Sequence, residues 1–206
     1  MRLMLVGRKD GRTEGGNVVE ATGGWTLSVG SYIWCPDSKC VYAVVEERGR
    51  DNLYRIDVPS FRRAIVVGNS GLNTNPSLAP DGKTVVYLHQ SNTQPAEVWA
   101  SGRPLTHHTD SGLAALDLKP LEPYGFVGAL GDSVFGWILK PPGFDPARRY
   151  PVVYLIHGGP QGAWDDNWHA RWNYQMFAAR GYLVAAVNFH GSTGYGQKFT
   201  DAISQH

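Results

Sequence analysis

The chain has 206 residues, 42% hydrophobic and 18% charged, which places it among folded proteins with room for one large domain or two modest ones. Nineteen lysines and arginines face eighteen aspartates and glutamates, so there is no clustered positive field for nucleic acid or for an acidic membrane surface. No apolar run nears the roughly 18 residues of a membrane span, and the opening MRLMLVGRKDGR does not read as a signal peptide.

RLMLVGR (2 to 8) reads as the outer strand of a repeating unit. IWCPDSKCVYAVV (33 to 45) and SLAPDGKTVVYLH (77 to 89) align without a gap, with their Pro-Asp pairs 44 residues apart. Each is a short strand, a turn opened by proline and closed by aspartate, and a strand rich in Val and Tyr. NLYRIDV (52 to 58) and AEVWASG (96 to 102) supply a further strand to each unit. A period of about 40 to 45 residues built from four short strands is the pattern of a β-propeller blade, with a β-sandwich as the alternative.

Cys35 and Cys40 flank the first turn. Two buried or half-buried thiols are expected, and a hairpin disulfide is the alternative in an oxidising compartment. With no nearby histidine they make no zinc site. EERGRDN, with Glu46 and Glu47, reads as a solvated loop, and so does the pair His107 and His108. EGGNVV lacks the strand-turn-helix setting of a phosphate site, and no motif points to a metal or other cofactor.

Residues 110 to 125 read as a proline-containing connector, and 126 to 144 as a hairpin split at Gly131 and Asp132. PVVYLIHGG then gives an apolar strand expected to be covered on both faces. NWHARWNYQMFAARG (167 to 181) has helical spacing closed by Gly181, and YLVAAVNFHG is a second apolar strand. Strand, helix, strand predicts a parallel crossover. FTDAISQH begins another helix.

The turn His157, Gly158, Gly159, Pro160 stands where parallel sheets place active sites, at the carboxyl end of a strand. Glycines let the backbone approach a ligand, and an exposed N–H there can donate to an oxyanion. A tight turn without chemistry is the plainer alternative.

Three stretches, LAPDGKTVVYLHQSNTQPAEVWA, GWILKPPGFDPARRYPVVYLIHGGPQGAW and GYLVAAVNFHGSTGYGQKFTDAIS, resemble the prolyl oligopeptidase family of serine peptidases, in its dipeptidyl peptidase V and acylaminoacyl peptidase branch. The resemblance implies a mixed fold. The C-terminal blades of a β-propeller, about two and a half over residues 1–115, would precede an incomplete α/β-hydrolase domain over 116–206. It implies Gly158 as backbone oxyanion donor, Gly159 as second candidate, and His157 where some relatives carry a tyrosine donor. His190 stands where many relatives have arginine, and with Gly191, Ser192 and Tyr195 it would shape the substrate cleft.

The resemblance further implies peptide hydrolysis through an acyl-enzyme, on small or unfolded peptides. Gly-x-Ser-x-Gly occurs nowhere in the sequence, and Ser192 lacks the flanking glycines of a nucleophile elbow. None of the triad is therefore expected among these residues. The chain reads as a fragment, inactive by itself, with a native start upstream. A non-catalytic propeller-based binding module and a propeller-bearing esterase are the other two readings. No nucleic acid, membrane, metal or cofactor is expected; compartment and homo-oligomerisation are left open.

Overall fold

The computed structural model describes residues 2–7, 17–159 and 161–204. Arg8 of the first strand, Glu14, Gly15 and Gly16 of EGGNVV, Pro160 of the turn, and His206 lie outside the described residues.

The fold is mostly β. β1 (Met4–Val6) and β2 (Val18–Glu20) form a two-stranded antiparallel sheet. Next come two four-stranded antiparallel meanders. The first is β3 (Val29–Trp34), β4 (Cys40–Glu46), β5 (Asp51–Asp57) and β6 (Arg63–Val67). The second is β7 (Leu72–Leu78), β8 (Val85–Ser91), β9 (Gln94–Ala100) and β10 (Arg103–Pro104). A single parallel contact, Asp51 beside Leu72, links them. The arrangement is that of a propeller-like portion, with no closed ring among the described residues.

The two turns have the same chemistry. Asp37 accepts from the Lys39 amide at 2.9 Å, and Asp81 from the Lys83 amide at 2.8 Å. Ser38 and Gly82 occupy matching positive-φ positions, 58° and 66°. The turns also touch: a Cβ on Gly82 would sit 3.1 Å from the Pro36 ring. Behind them β4 is buried almost throughout, with Val41, Ala43 and Val45 inaccessible to solvent.

The thiols expected at positions 35 and 40 are instead joined as a disulfide. Cross-strand placement of β3 and β4 brings their Cα atoms to 5.2 Å, within bonding range. Glu46 and Glu47 are not solvated either. Glu46 ends β4 half-buried, and Glu47 accepts from Asn52 at 3.0 Å and Tyr54 at 2.8 Å.

After a helical turn, α1 (Asp110–Leu113), a second sheet follows. β11 (Glu122–Val127), β12 (Ser133–Leu139), β13 (Val152–Leu155) and β14 (Leu183–Asn188) stand in the order β11-β12-β14-β13. β13 and β14 are parallel, as expected of the crossover, and the other pairs are antiparallel. β14 is buried from Val184 to Asn188. β13, last in the strand order among the described residues, is not covered on both faces: Val152, Tyr154 and the following Ile156 are exposed along one side.

The crossover helix is shorter than its apolar spacing predicts. Only α2 (Tyr174–Ala178) forms, capped by the Asn173 side chain on the Gln175 amide. Upstream, the His169 ring accepts from the Arg171 and Trp172 amides at 3.2 and 3.0 Å, which satisfies that backbone locally instead of in a helix. α3 (Gln197–Asp201) follows the loop after β14. No helix of the described residues is long and apolar enough to cross a membrane.

The two sheets meet along a polar seam. Asp166 accepts from the Asn92 amide at 2.9 Å and the Gly71 amide at 3.2 Å. Gln175 donates to the Lys119 carbonyl at 2.6 Å, which Asn92 also reaches at 2.8 Å. At the other end Arg48 N–H donates to the Gly194 carbonyl at 3.0 Å.

Candidate functional site

β13 hands the chain to His157, Gly158 and Gly159 at its carboxyl end, and both glycines are exposed. Gly159 has φ +130°, and a Cβ there would lie 2.7 Å from the Gln161 nitrogen. Only glycine fits that backbone. Gly158 has open space around the position of a Cβ.

His157 is tied at both ring nitrogens. Nδ1 is 2.9 Å from the Gly158 carbonyl and Nε2 is 3.0 Å from Ser192 Oγ. A carbonyl only accepts, so Nδ1 carries hydrogen and donates. Its ring lies flat on Phe189, centroids 4.3 Å apart. With both nitrogens engaged, the imidazole braces the turn and has no free N–H to offer. Fixing the Gly158 carbonyl also fixes the next peptide N–H, because the peptide unit is planar.

The far limb of the turn is held from within the sheet. Trp164 N–H donates to Asn188 Oδ1 at 2.7 Å, and the Trp164 carbonyl accepts from Asn188 Nδ2 at 3.0 Å and Trp137 Nε1 at 2.8 Å. A cleft of about 640 Å³ opens beside the turn, lined by His157, Gly158, Trp164, His169, Arg171 and Trp172 among others.

The loop after β14 carries the other predicted residues. Ser192 is wholly buried, its amide bonded to the Phe189 carbonyl at 2.9 Å. Gly191 has φ +98°, and a Cβ there would meet Ile203 at 2.8 Å. His190 stacks on Phe199, centroids 4.9 Å apart, with Nε2 3.4 Å from Asp132. Tyr195 lies on Phe135, and its hydroxyl accepts from Asn188 at 2.7 Å. Burial pushes the Tyr195 phenol up to about 12, against the lowering effect of that hydrogen bond. So the structure joins His157 to Ser192 directly. Tyr195 and the turn meet through Asn188, while His190 points to the opposite side, toward Asp132.

Sequence reasoning missed the acids beside this loop. Thr193 Oγ1 donates to Glu46 at 2.6 Å. Burial raises Glu46, and raises Asp51 to about 6 with help from Glu46, its cross-strand partner. Asp165 is raised well above the usual carboxylate range by burial and by Glu46, Asp51 and Asp166. The cross-strand pairing of Glu46 with Asp51 follows from a tight β4–β5 hairpin, but what buries them comes from the other sheet.

Residues 168–206 match the family model described as the prolyl oligopeptidase family. The chain is 35% identical over 189 residues to dipeptidyl-peptidase 5 of Arthroderma otae, and 34% identical to that of Trichophyton tonsurans. Each match covers 87% of this chain and 26% of the relative, so the chain spans about a quarter of the length of these relatives. Among solved structures, an acylaminoacyl peptidase in complex with Z-Gly-Gly-Phe-chloromethyl ketone superposes with a TM-score of 0.73 at 25% identity, over 91% of this chain and 29% of that one. Porphyromonas gingivalis dipeptidyl peptidase 4 shares the fold, with a TM-score of 0.70 at 23% identity over 89% of this chain and 27% of its own. The matched length runs through both meanders, the connector and the mixed sheet alike, and on that continuity the chain belongs to the prolyl oligopeptidase family.

Proposed function

We propose that this chain is the part of a serine peptidase that joins the last blades of a β-propeller, residues 1–115, to the opening of an α/β-hydrolase domain, residues 116–206. Its role in the reaction is to supply the oxyanion wall. The observation that carries this reading is the braced turn: exposed Gly158 and Gly159 amides at the end of a parallel strand, with His157 locked on the Gly158 carbonyl.

As a nucleophile adds to a peptide carbonyl, charge gathers on its oxygen. A donor already aimed there stabilises that charge without reorganising, and is worth roughly 10²–10³ in rate. The Gly158 and Gly159 N–H groups are the donors in this reading. His157 acts on the Gly159 N–H through the Gly158 carbonyl it holds, since the two share one planar peptide unit. Ser192, buried and bonded to His157, braces and does not attack. The nucleophile would reach the turn from outside residues 1–206, since no Gly-x-Ser-x-Gly lies within them. The loop that carries His190, Gly191, Ser192 and Tyr195 would back the cleft, with Gly191 and Ser192 buried beneath its surface, and the substrates would be small or unfolded peptides.

The test is to read the gene on both sides of this segment and assay the product of the full reading frame. Turnover of short peptide amides, lost with a serine-directed phosphonate, supports the reading. Turnover of esters alone would make the protein an esterase. No turnover of either would leave the turn without chemistry.

A further inference from the structure

We propose that Asn188 is a positioning residue for the His157–Gly159 turn, acting by clasping both backbone polar groups of Trp164. The inference rests on the peptidase reading for its effect on rate, but the clasp itself does not.

Asn188 ends β14 and is inaccessible to solvent. Its amide spends both N–H groups and its oxygen: Oδ1 accepts from Trp164 N–H at 2.7 Å, and Nδ2 donates to the Trp164 carbonyl at 3.0 Å and to Tyr195 at 2.7 Å. The orientation is forced, because a backbone N–H needs an oxygen opposite it. Trp164 closes the loop that begins at β13. Its indole Nε1 donates to the Leu155 carbonyl at 3.1 Å, so the two ends of the turn are stapled by one side chain. The same ring stands edge-on to His157, centroids 6.4 Å apart. Whatever holds the Trp164 backbone therefore holds both limbs of the turn. Through Tyr195 the same amide also fixes the cleft loop, whose Thr193 amide donates to the Gly162 carbonyl at 3.0 Å.

Few side chains can replace this grip. Alanine leaves the Trp164 N–H without its acceptor in a buried place. An ionised aspartate accepts from the N–H but turns a second acceptor on the Trp164 carbonyl. A protonated aspartic acid has one oxygen that accepts and one O–H that donates, and so restores the clasp.

The test uses the product of the full reading frame and its Asn188→Ala and Asn188→Asp variants. Two readouts are taken: amide hydrogen exchange in peptides covering 155–165, and peptide kinetics. The expected result for Asn188→Ala is faster exchange confined to that segment, with kcat down about 100-fold and KM changed less than about threefold. For Asn188→Asp, both protection and the ratio of its kcat to the parent's at the same pH recover as pH falls toward 4. Parent-like exchange and kcat in both variants would overturn the proposal, as would loss in Asn188→Asp that does not depend on pH. Where Asn188→Ala does not fold, the pH response of Asn188→Asp decides. If the parent turns over no peptide, the peptidase reading fails, and the exchange readout still decides the clasp.

Discussion

Thr193 gives its hydroxyl to Glu46 at 2.6 Å, and so ties the loop after β14 to the last residue of β4. The two residues are 147 positions apart in sequence, and the bond crosses the seam between the two sheets.

Replacing Thr193 with valine keeps the shape and removes the donor. The Glu46 carboxylate is then half-buried with no hydroxyl, and a loss of about 1–3 kcal/mol is expected. Glu46→Gln keeps an acceptor for Thr193 and removes a charge from an acidic neighbourhood, so it should cost less at neutral pH. Denaturant unfolding of the two variants checks the order.

Asp51 makes stability fall with rising pH. Its folded carboxyl titrates at about 6, raised by burial and then by Glu46, against an ordinary value of 3.8. Between those values the folded chain holds a proton that the unfolded chain has lost. The stability is therefore fully present below about pH 4 and is lost as pH rises through about 6, a change of about 3 kcal/mol. Asp51→Asn should flatten that slope, and Asp165, raised in the same direction, should leave a residual one. Unfolding free energies at pH 4, 5, 6 and 7 measure it.

His157→Ala frees the Gly158 carbonyl. In the product of the full reading frame, kcat should drop by about 10²–10³, the worth of one oxyanion donor, with KM little altered. Ser192→Ala loosens the ring by one bond only. It should lower kcat by about tenfold while labelling by a serine-directed phosphonate persists, since Ser192 is not the nucleophile.

The Cys35–Cys40 bond closes a short loop, with a sequence separation of 5. Chain-entropy reasoning gives such a link about 2 kcal/mol. Reduction should lower the melting temperature without changing the seam, and peptide mapping under non-reducing conditions should show the linked pair.

The meanders were legible because their signals are local. Pro36 with Asp37 and Pro80 with Asp81 fix turns within four residues, and the matching positive φ of Ser38 and Gly82 shows the same turn built twice. The apolar runs before His157 and through Val187 likewise marked a parallel pair. What failed depended on distant partners. Trp168 and Trp172 have helical spacing, yet the His169 ring satisfies the intervening amides. Glu46 looks like a loop residue until Thr193 arrives. The role of His157 could be narrowed from imidazole donor or brace to brace only once Ser192 and the Gly158 carbonyl were located. Asn188, read simply as part of a strand, gave no signal, because its partner Trp164 is 24 residues away.

The Trp164 carbonyl accepts from an amide and an indole, and its N–H meets an amide oxygen. None of these groups changes charge between pH 3 and 10, and counter-ions do not screen bonds between neutral dipoles inside a packed sheet. The far limb of the turn is thus insulated from the electrolyte, while the carboxylates across the seam can gain or lose protons. Acid or base should shift how firmly the two sheets hold together without loosening the Trp164 clasp, and those two properties can drift separately as the surroundings change.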